Sequence, residues 1–104
     1  MLQLIKELLG IGTKTDYKEL LKKGATIVDV RSKAEYQGGH IKGSINIPLD
    51  TLTSHLAKLK KDKPIITCCA SGMRSASAKS ILKSKGYTGI YNGGAWTSLQ
   101  NKIS

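Results

Sequence analysis

Short β-branched runs alternate with helix-forming segments along most of the chain, and this alternation limits the fold more than any other feature. The runs are Thr26-Ile27-Val28-Asp29-Val30, Ser44-Ile45-Asn46-Ile47, Pro64-Ile65-Ile66-Thr67-Cys68 and the brief Ile90-Tyr91. Between them the spacing predicts helices over residues 15–23, with Thr15 as N-cap and Gly24 as the stop, and from Ser32 to the Gly38-Gly39 pair. Further helices are predicted after Asp50, carrying Leu52, Leu56 and Leu59 on one side, over residues 75–85 and over residues 95–103. Ser32-Lys33-Ala34-Glu35 has the form of a capping box, and Pro64 opens a strand where its missing N–H costs least. Strands that alternate with helices require crossover connections, so the expected architecture is α/β, three layers, with a parallel sheet covered on both faces.

At 104 residues the chain can bury one core, and residues 1–104 are read as a single domain. Leu2, Ile5, Leu8 and Leu9 recur at helical spacing, so residues 1–12 are expected to form an amphipathic segment packed on that domain. Hydrophobic residues at 39% and charged residues at 23% argue against disorder and fibrous repeats. The opening segment is interrupted by Lys6 and Glu7 and lacks a cleavage pattern, and no run reaches membrane-spanning length. The expectation is therefore a cytoplasmic protein that does not engage a membrane.

Lys and Arg number 17 against 7 Asp and Glu, a net charge of +10 that favours anions, whether small substrates or an acidic protein partner. No zinc-finger spacing, RNP-like aromatic pattern or Arg-rich tract points to nucleic acid, and the run Lys58, Lys60, Lys61, Lys63 reads as a solvated helix face. Cys68 and Cys69 are adjacent, which excludes a disulfide scaffold and offers no metal-ligand spacing, so no metal or cofactor is expected. His40 and His55 fall in different elements without a ligand companion and are assigned to a turn and a helix surface.

Ligands of open parallel sheets sit beyond the carboxyl ends of the strands, and Cys69 follows the most apolar strand in the chain. Cys69-Ala70-Ser71-Gly72-Met73-Arg74 is a loop of small residues leading into a helix, so its N–H groups can converge on one point. A helix N-terminus and a nearby cation, here Arg74, lower a thiol's pKa and favour the nucleophilic thiolate. Successive strand side chains point to opposite faces, so Cys68 reads as a small buried hydrophobe rather than as a resolving thiol for Cys69. Asp29, two residues from Arg31 at a strand end, reads as half of a structural ion pair, and Trp96 as a packing anchor.

Asp29-Val30-Arg31, Gly39-His40-Ile41-Lys42-Gly43-Ser44, Asn46-Ile47-Pro48, the Cys69-to-Arg74 loop and Gly93-Gly94…Trp96 stand in the order of a single-domain rhodanese, which the chain resembles from about Thr13 onward. That resemblance implies a five-stranded parallel sheet between helices. It also implies a sulfurtransferase that takes sulfane sulfur from thiosulfate or another small anionic donor as a Cys69 persulfide and passes it to cyanide or a thiol. By the same resemblance Ala70, Ser71, Gly72, Met73 and Arg74 bind the donor, while Asp29 and Arg31 brace the loop. Ser44 stands where the family usually has Ala, Cys68 where it often has Tyr, and the short first strand is weakly marked. Two other readings exist: a carrier that delivers persulfide sulfur to one protein partner, and a phosphatase or arsenate reductase. Four residues separate Cys69 from Arg74, one fewer than in the related phosphatases, and a tighter ring suits sulfur better than a phosphate ester.

Overall fold

The computed structural model describes residues 15–104. In chain order the elements are helix α1 (Tyr17–Lys22), strand β1 (Thr26–Asp29), helix α2 (Lys33–Gln37), strand β2 (Ile45–Asn46), a 3-10 segment (Leu49–Lys58), strand β3 (Ile65–Cys69), helix α3 (Met73–Ser84), strand β4 (Ile90–Ala95) and helix α4 (Trp96–Ile103). The strands pair in parallel in the order β2-β1-β3-β4, with Val28 opposite Ile45, Thr26 opposite Ile65, and Ile65 opposite Ile90.

The period-two alternation of the strands sorts the core onto the two faces of the sheet. Val28, Ile65 and Cys69 pack with Leu52, Leu59, Ala78 and Leu82, which come from the 3-10 segment, its C-terminal end and α3. Ile27, Ile66 and Cys68 pack on the other side with Leu99 of α4 and with Tyr17, Leu20 and Leu21 of α1. Leu52, Leu82 and Leu99 are fully buried, and each contributes roughly 1.5–3 kcal/mol through the apolar surface it removes from water. The three-layer α/β architecture with a parallel sheet therefore stands. All five residues of β3 are buried, the mark of a central strand covered on both faces.

Several local expectations are corrected. Four parallel strands are present among the described residues, and the short first strand that the resemblance implies ahead of α1 lies outside them. Asp16, not Thr15, caps α1, since its carboxylate accepts the Glu19 N–H at 3.1 Å. The segment after Pro48 is a 3-10 helix with no side-chain cap, and it is broken at His55 (φ −123°, ψ 21°), so Asp50 lies inside it and does not open it. β4 runs on to Ala95 because Gly93 lets the strand lie against β3. A Cβ at Gly93 would stand 2.9 Å from both the Thr67 carbonyl oxygen and a Leu99 methyl. The capping box at α2 is formed as predicted, with Ser32 Oγ accepting from the Glu35 N–H and Glu35 Oε1 from the Ser32 N–H. The amphipathic segment expected over residues 1–12 lies outside the described residues.

Candidate active site

Cys69 is the last residue of β3, and the chain turns at once into α3. The turn works because Gly72 adopts φ 103°, a left-handed conformation that a side chain resists. It carries the following backbone back over the Cys69 sulfur. The Gly72 N–H lies 2.9 Å from Sγ and the Ser75 N–H 3.4 Å, while Ser75 Oγ stands at 3.4 Å. Burial by itself pushes the Cys69 thiol up, but the Ser75 hydroxyl and the amides of Ser75, Gly72 and Ser71 outweigh it and hold the thiol below its ordinary value.

Ser75 is buried and tied down in turn. Its hydroxyl lies 2.7 Å from Asn92 Oδ1 and 3.1 Å from the Gly72 carbonyl, and Asn92 Oδ1 also accepts the Gly94 N–H at 2.9 Å. Asn92 Nδ2 donates to the Gly72 carbonyl at 3.3 Å, so β4 holds both ends of the turn. One hydroxyl proton serves two geometries. With a neutral thiol, S–H donates to Ser75 and Ser75 donates to Asn92. With a thiolate, the Ser75 proton turns to sulfur while Asn92 keeps its bond from Gly94.

Arg74 does not stand alone at the ring. Its guanidinium makes two parallel bonds to the Glu35 carboxylate, at 2.7 and 2.9 Å, and the pair is half-exposed. The Arg74 hydrogen bonds lead the causes that hold the Glu35 carboxyl down at about 2, and Glu35 in turn raises the Arg74 pKa. The acidity of Cys69 thus rests on Ser75 and the loop amides, and the Arg74 cation is paired with a carboxylate from α2.

Asp29 and Arg31 form the expected ion pair, with Arg31 Nη2 at 2.7 Å and Nε at 2.9 and 3.0 Å from the carboxylate, both residues buried. Arg31 also donates to the carbonyls of Glu35 and Gly39, at 3.3 and 2.7 Å, and lies 4.7 Å from the centre of the Trp96 ring. The direct brace is therefore on α2 and reaches the loop only through Glu35 and Arg74. Asp29 pairs across the sheet with Cys68, on the face opposite Cys69. Burial, with the Asp29 charge adding to it and Arg31 opposing, pushes the Cys68 thiol up to about 12, so the two adjacent cysteines have opposite chemistry.

The loop Ala70 to Arg74 follows β3, and Asp29 and Arg31 lie at the end of the adjoining β1, whereas Glu35, Ser75 and Asn92, which bond to these segments, were not singled out from the sequence. Glu35 was visible only as a capping residue. Ser75 was read as the start of a helix face, and Asn92 carried no signal beyond its place before Gly93-Gly94. No group of three or more potential metal ligands occurs among the described residues.

Residues 13–99 match the rhodanese-like domain family. The chain belongs to that family. The rhodanese-like domain is 38% identical over 80 residues to the uncharacterised protein YqhL of Bacillus subtilis, covering 77% of this chain and 63% of that protein. It is 33% identical over 73 residues to the thiosulfate sulfurtransferase GlpE of Pseudomonas savastanoi, covering 70% of this chain and 69% of GlpE. Among solved structures it resembles the human single-domain sulfurtransferase TSTD1 with a TM-score of 0.70 and 32% identity, covering 85% of this chain and 92% of that one. No helix among the described residues is long and apolar enough to cross a membrane.

Proposed function

We propose that this rhodanese-like domain is a thiosulfate sulfurtransferase acting through a Cys69 persulfide. The observation that carries the reading is the set of donors around the Cys69 sulfur: the Gly72 amide at 2.9 Å with the Ser75 amide and hydroxyl at 3.4 Å. These groups stabilise negative charge on sulfur both before and after transfer. In the first step the Cys69 thiolate attacks the outer sulfur of thiosulfate. A new S–S bond forms, the bond to the sulfonate sulfur breaks, and sulfite leaves with its electron pair. In the second step cyanide attacks the outer persulfide sulfur, giving thiocyanate and returning the Cys69 thiolate. Neither step needs a separate base when the nucleophile is the thiolate, which the donors around the sulfur favour, and the leaving groups are stable anions.

Arg74 binds the incoming dianion together with the loop amides of Ala70 to Arg74, and the donor competes with Glu35 for it. Asp29 and Arg31 hold α2 so that Glu35 stays in place. The test is a thiosulfate:cyanide assay with intact-mass measurement on the native chain, Cys69→Ser and Cys68→Ser. Native protein and Cys68→Ser are expected to gain one sulfur atom and release thiocyanate, while Cys69→Ser does neither. Thiocyanate formation surviving in Cys69→Ser overturns the reading. Turnover of an aryl phosphate in place of thiosulfate supports the phosphatase alternative. Sulfur loading without thiocyanate release supports the carrier.

A further inference from the structure

His40 and His55, assigned from the sequence to separate and unrelated places, line the same depression. Lys33, Tyr36, His40, Asn46, His55 and Lys58 are among the side chains around a cavity of about 590 Å³, within the usual size of a small-molecule site. Four of the lining residues are cationic or can become so, and none is a carboxylate. The His40 Nδ1 lies 2.8 Å from the Tyr36 carbonyl and the His55 Nδ1 2.9 Å from the Thr51 carbonyl. A carbonyl only accepts, so each Nδ1 carries a proton, and Nε2 is left as the nitrogen that donates to an anion when the ring carries both protons. The His40 ring is further held by stacking on Tyr36, with centroids 3.8 Å apart and planes 10° from parallel.

A neighbouring depression of about 610 Å³ shares Lys33 and Pro48 with the first and extends to Arg74. Its lining includes Asp50, whereas the histidine-lined cavity has no acidic side chain. A molecule spanning both would avoid placing a negative group beside Asp50 and would put its acidic end among Lys33, Lys58 and the two imidazoles. Its other end would then lie toward Arg74, the last residue of the Cys69 loop.

We propose that the cavity lined by Lys33, His40, His55 and Lys58 is a second anion-binding site, which selects small thiol acceptors carrying two or more acidic groups and aims their thiol at the Cys69 loop. The assignment to an acceptor rests on the sulfurtransferase reading. The acceptor thiolate attacks the outer sulfur of the Cys69 persulfide in its protonated form. The acceptor sulfur bonds to that sulfur, the persulfide S–S bond breaks, and Cys69 leaves as the thiolate while the acceptor departs as a hydropersulfide.

Two arms test it. In Cys69→Ser protein, which cannot transfer sulfur, titration with inorganic pyrophosphate is followed through the imidazole NMR signals, and the chain has only 2 histidines. Both signals are expected to shift and saturate, and Lys58→Glu to abolish the shift. Signals that stay in place while pyrophosphate binds elsewhere overturn the site. In otherwise native protein, kcat/KM is measured for mercaptosuccinate and for 2-mercaptoethanol, one a dicarboxylate thiol and the other neutral. Lys58→Glu is expected to lower the ratio of the two by about tenfold, the scale of reversing one partly exposed charge contact. The same reversal at exposed Lys83 on α3 is expected to leave the ratio as it was. A ratio equally insensitive to both reversals overturns the assignment to an acceptor. Protein that never acquires sulfur overturns the sulfurtransferase reading and the acceptor with it, while the pyrophosphate arm still decides whether the cavity binds anions.

Discussion

The acidity of Cys69 is set by one hydroxyl as much as by the backbone. Ser75 faces the sulfur at 3.4 Å and heads the groups that lower the thiol's pKa against the opposing effect of burial. Ser75→Ala removes that donor while Asn92 Oδ1 keeps the Gly94 N–H, so the turn is expected to survive. A folded-state pKa below the ordinary thiol value means that the thiolate persists to lower pH, and losing Ser75 shifts the ionisation upward. Cys69 alkylation by iodoacetamide is expected to show a higher pH midpoint and to slow by about tenfold at neutral pH, the scale of one hydrogen bond to a charged group. An unchanged midpoint assigns the whole effect to the amides. Cys68 is expected to stay unmodified under the same conditions, because its thiol is buried and pushed up to about 12. The divergence of these two neighbours was legible in the sequence, since strand side chains alternate between faces. Ser75 was not, because a serine in the first turn of a helix has the same appearance whether it caps, solvates or faces a sulfur.

At the scale of elements, the site depends on the seam between β3 and β4. The register slips between Thr67 and Cys69, and Gly93 and Gly94 lie on the opposing strand where it does so. Gly93 is buried, and a Cβ there would meet the Thr67 carbonyl, Leu99 and Ile66 at 2.9 to 3.0 Å. Gly93→Ala is expected to cost about 1–3 kcal/mol, as overpacking of a closed core does, and to lower the urea midpoint. It is also expected to disturb Asn92 next to it, so sulfur transfer should fall under conditions where the protein remains folded. A midpoint equal to that of the native chain shows that the strands separate there at little cost. α2 plays the matching part on the other side of Cys69. It is only five residues long, yet its capping box, the Arg31 bonds to the carbonyls of Glu35 and of Gly39 just beyond it, and the Glu35 pair with Arg74 tie it into the site. The capping box was readable as a local pattern. The pair was not, since Glu35 and Arg74 are 39 positions apart and meet only once β1 and β3 lie side by side.

Over the whole molecule, the net charge of +10 acts on anything negative that approaches. Raising the ionic strength from ~0.01 M to ~0.15 M shortens the screening length from roughly 30 Å to about 8 Å. kcat/KM for thiosulfate is expected to fall several-fold over that range with little change in kcat, and a neutral acceptor is expected to show no such fall. Equal salt dependence for both indicates an effect on the protein itself rather than on encounter. The sequence by itself determined the α/β class and the parallel sheet and singled out Cys69 at the end of β3 as the candidate nucleophile, because periodicity, glycine placement and strand alternation act over a few residues. Only the tertiary structure decided the strand order, the pairing of Arg74 with Glu35, the support of Ser75 by Asn92 and the placing of His40 and His55 around one cavity. Those contacts join residues far apart in the chain, and the packing of strands and helices, not any local pattern, brings them within reach.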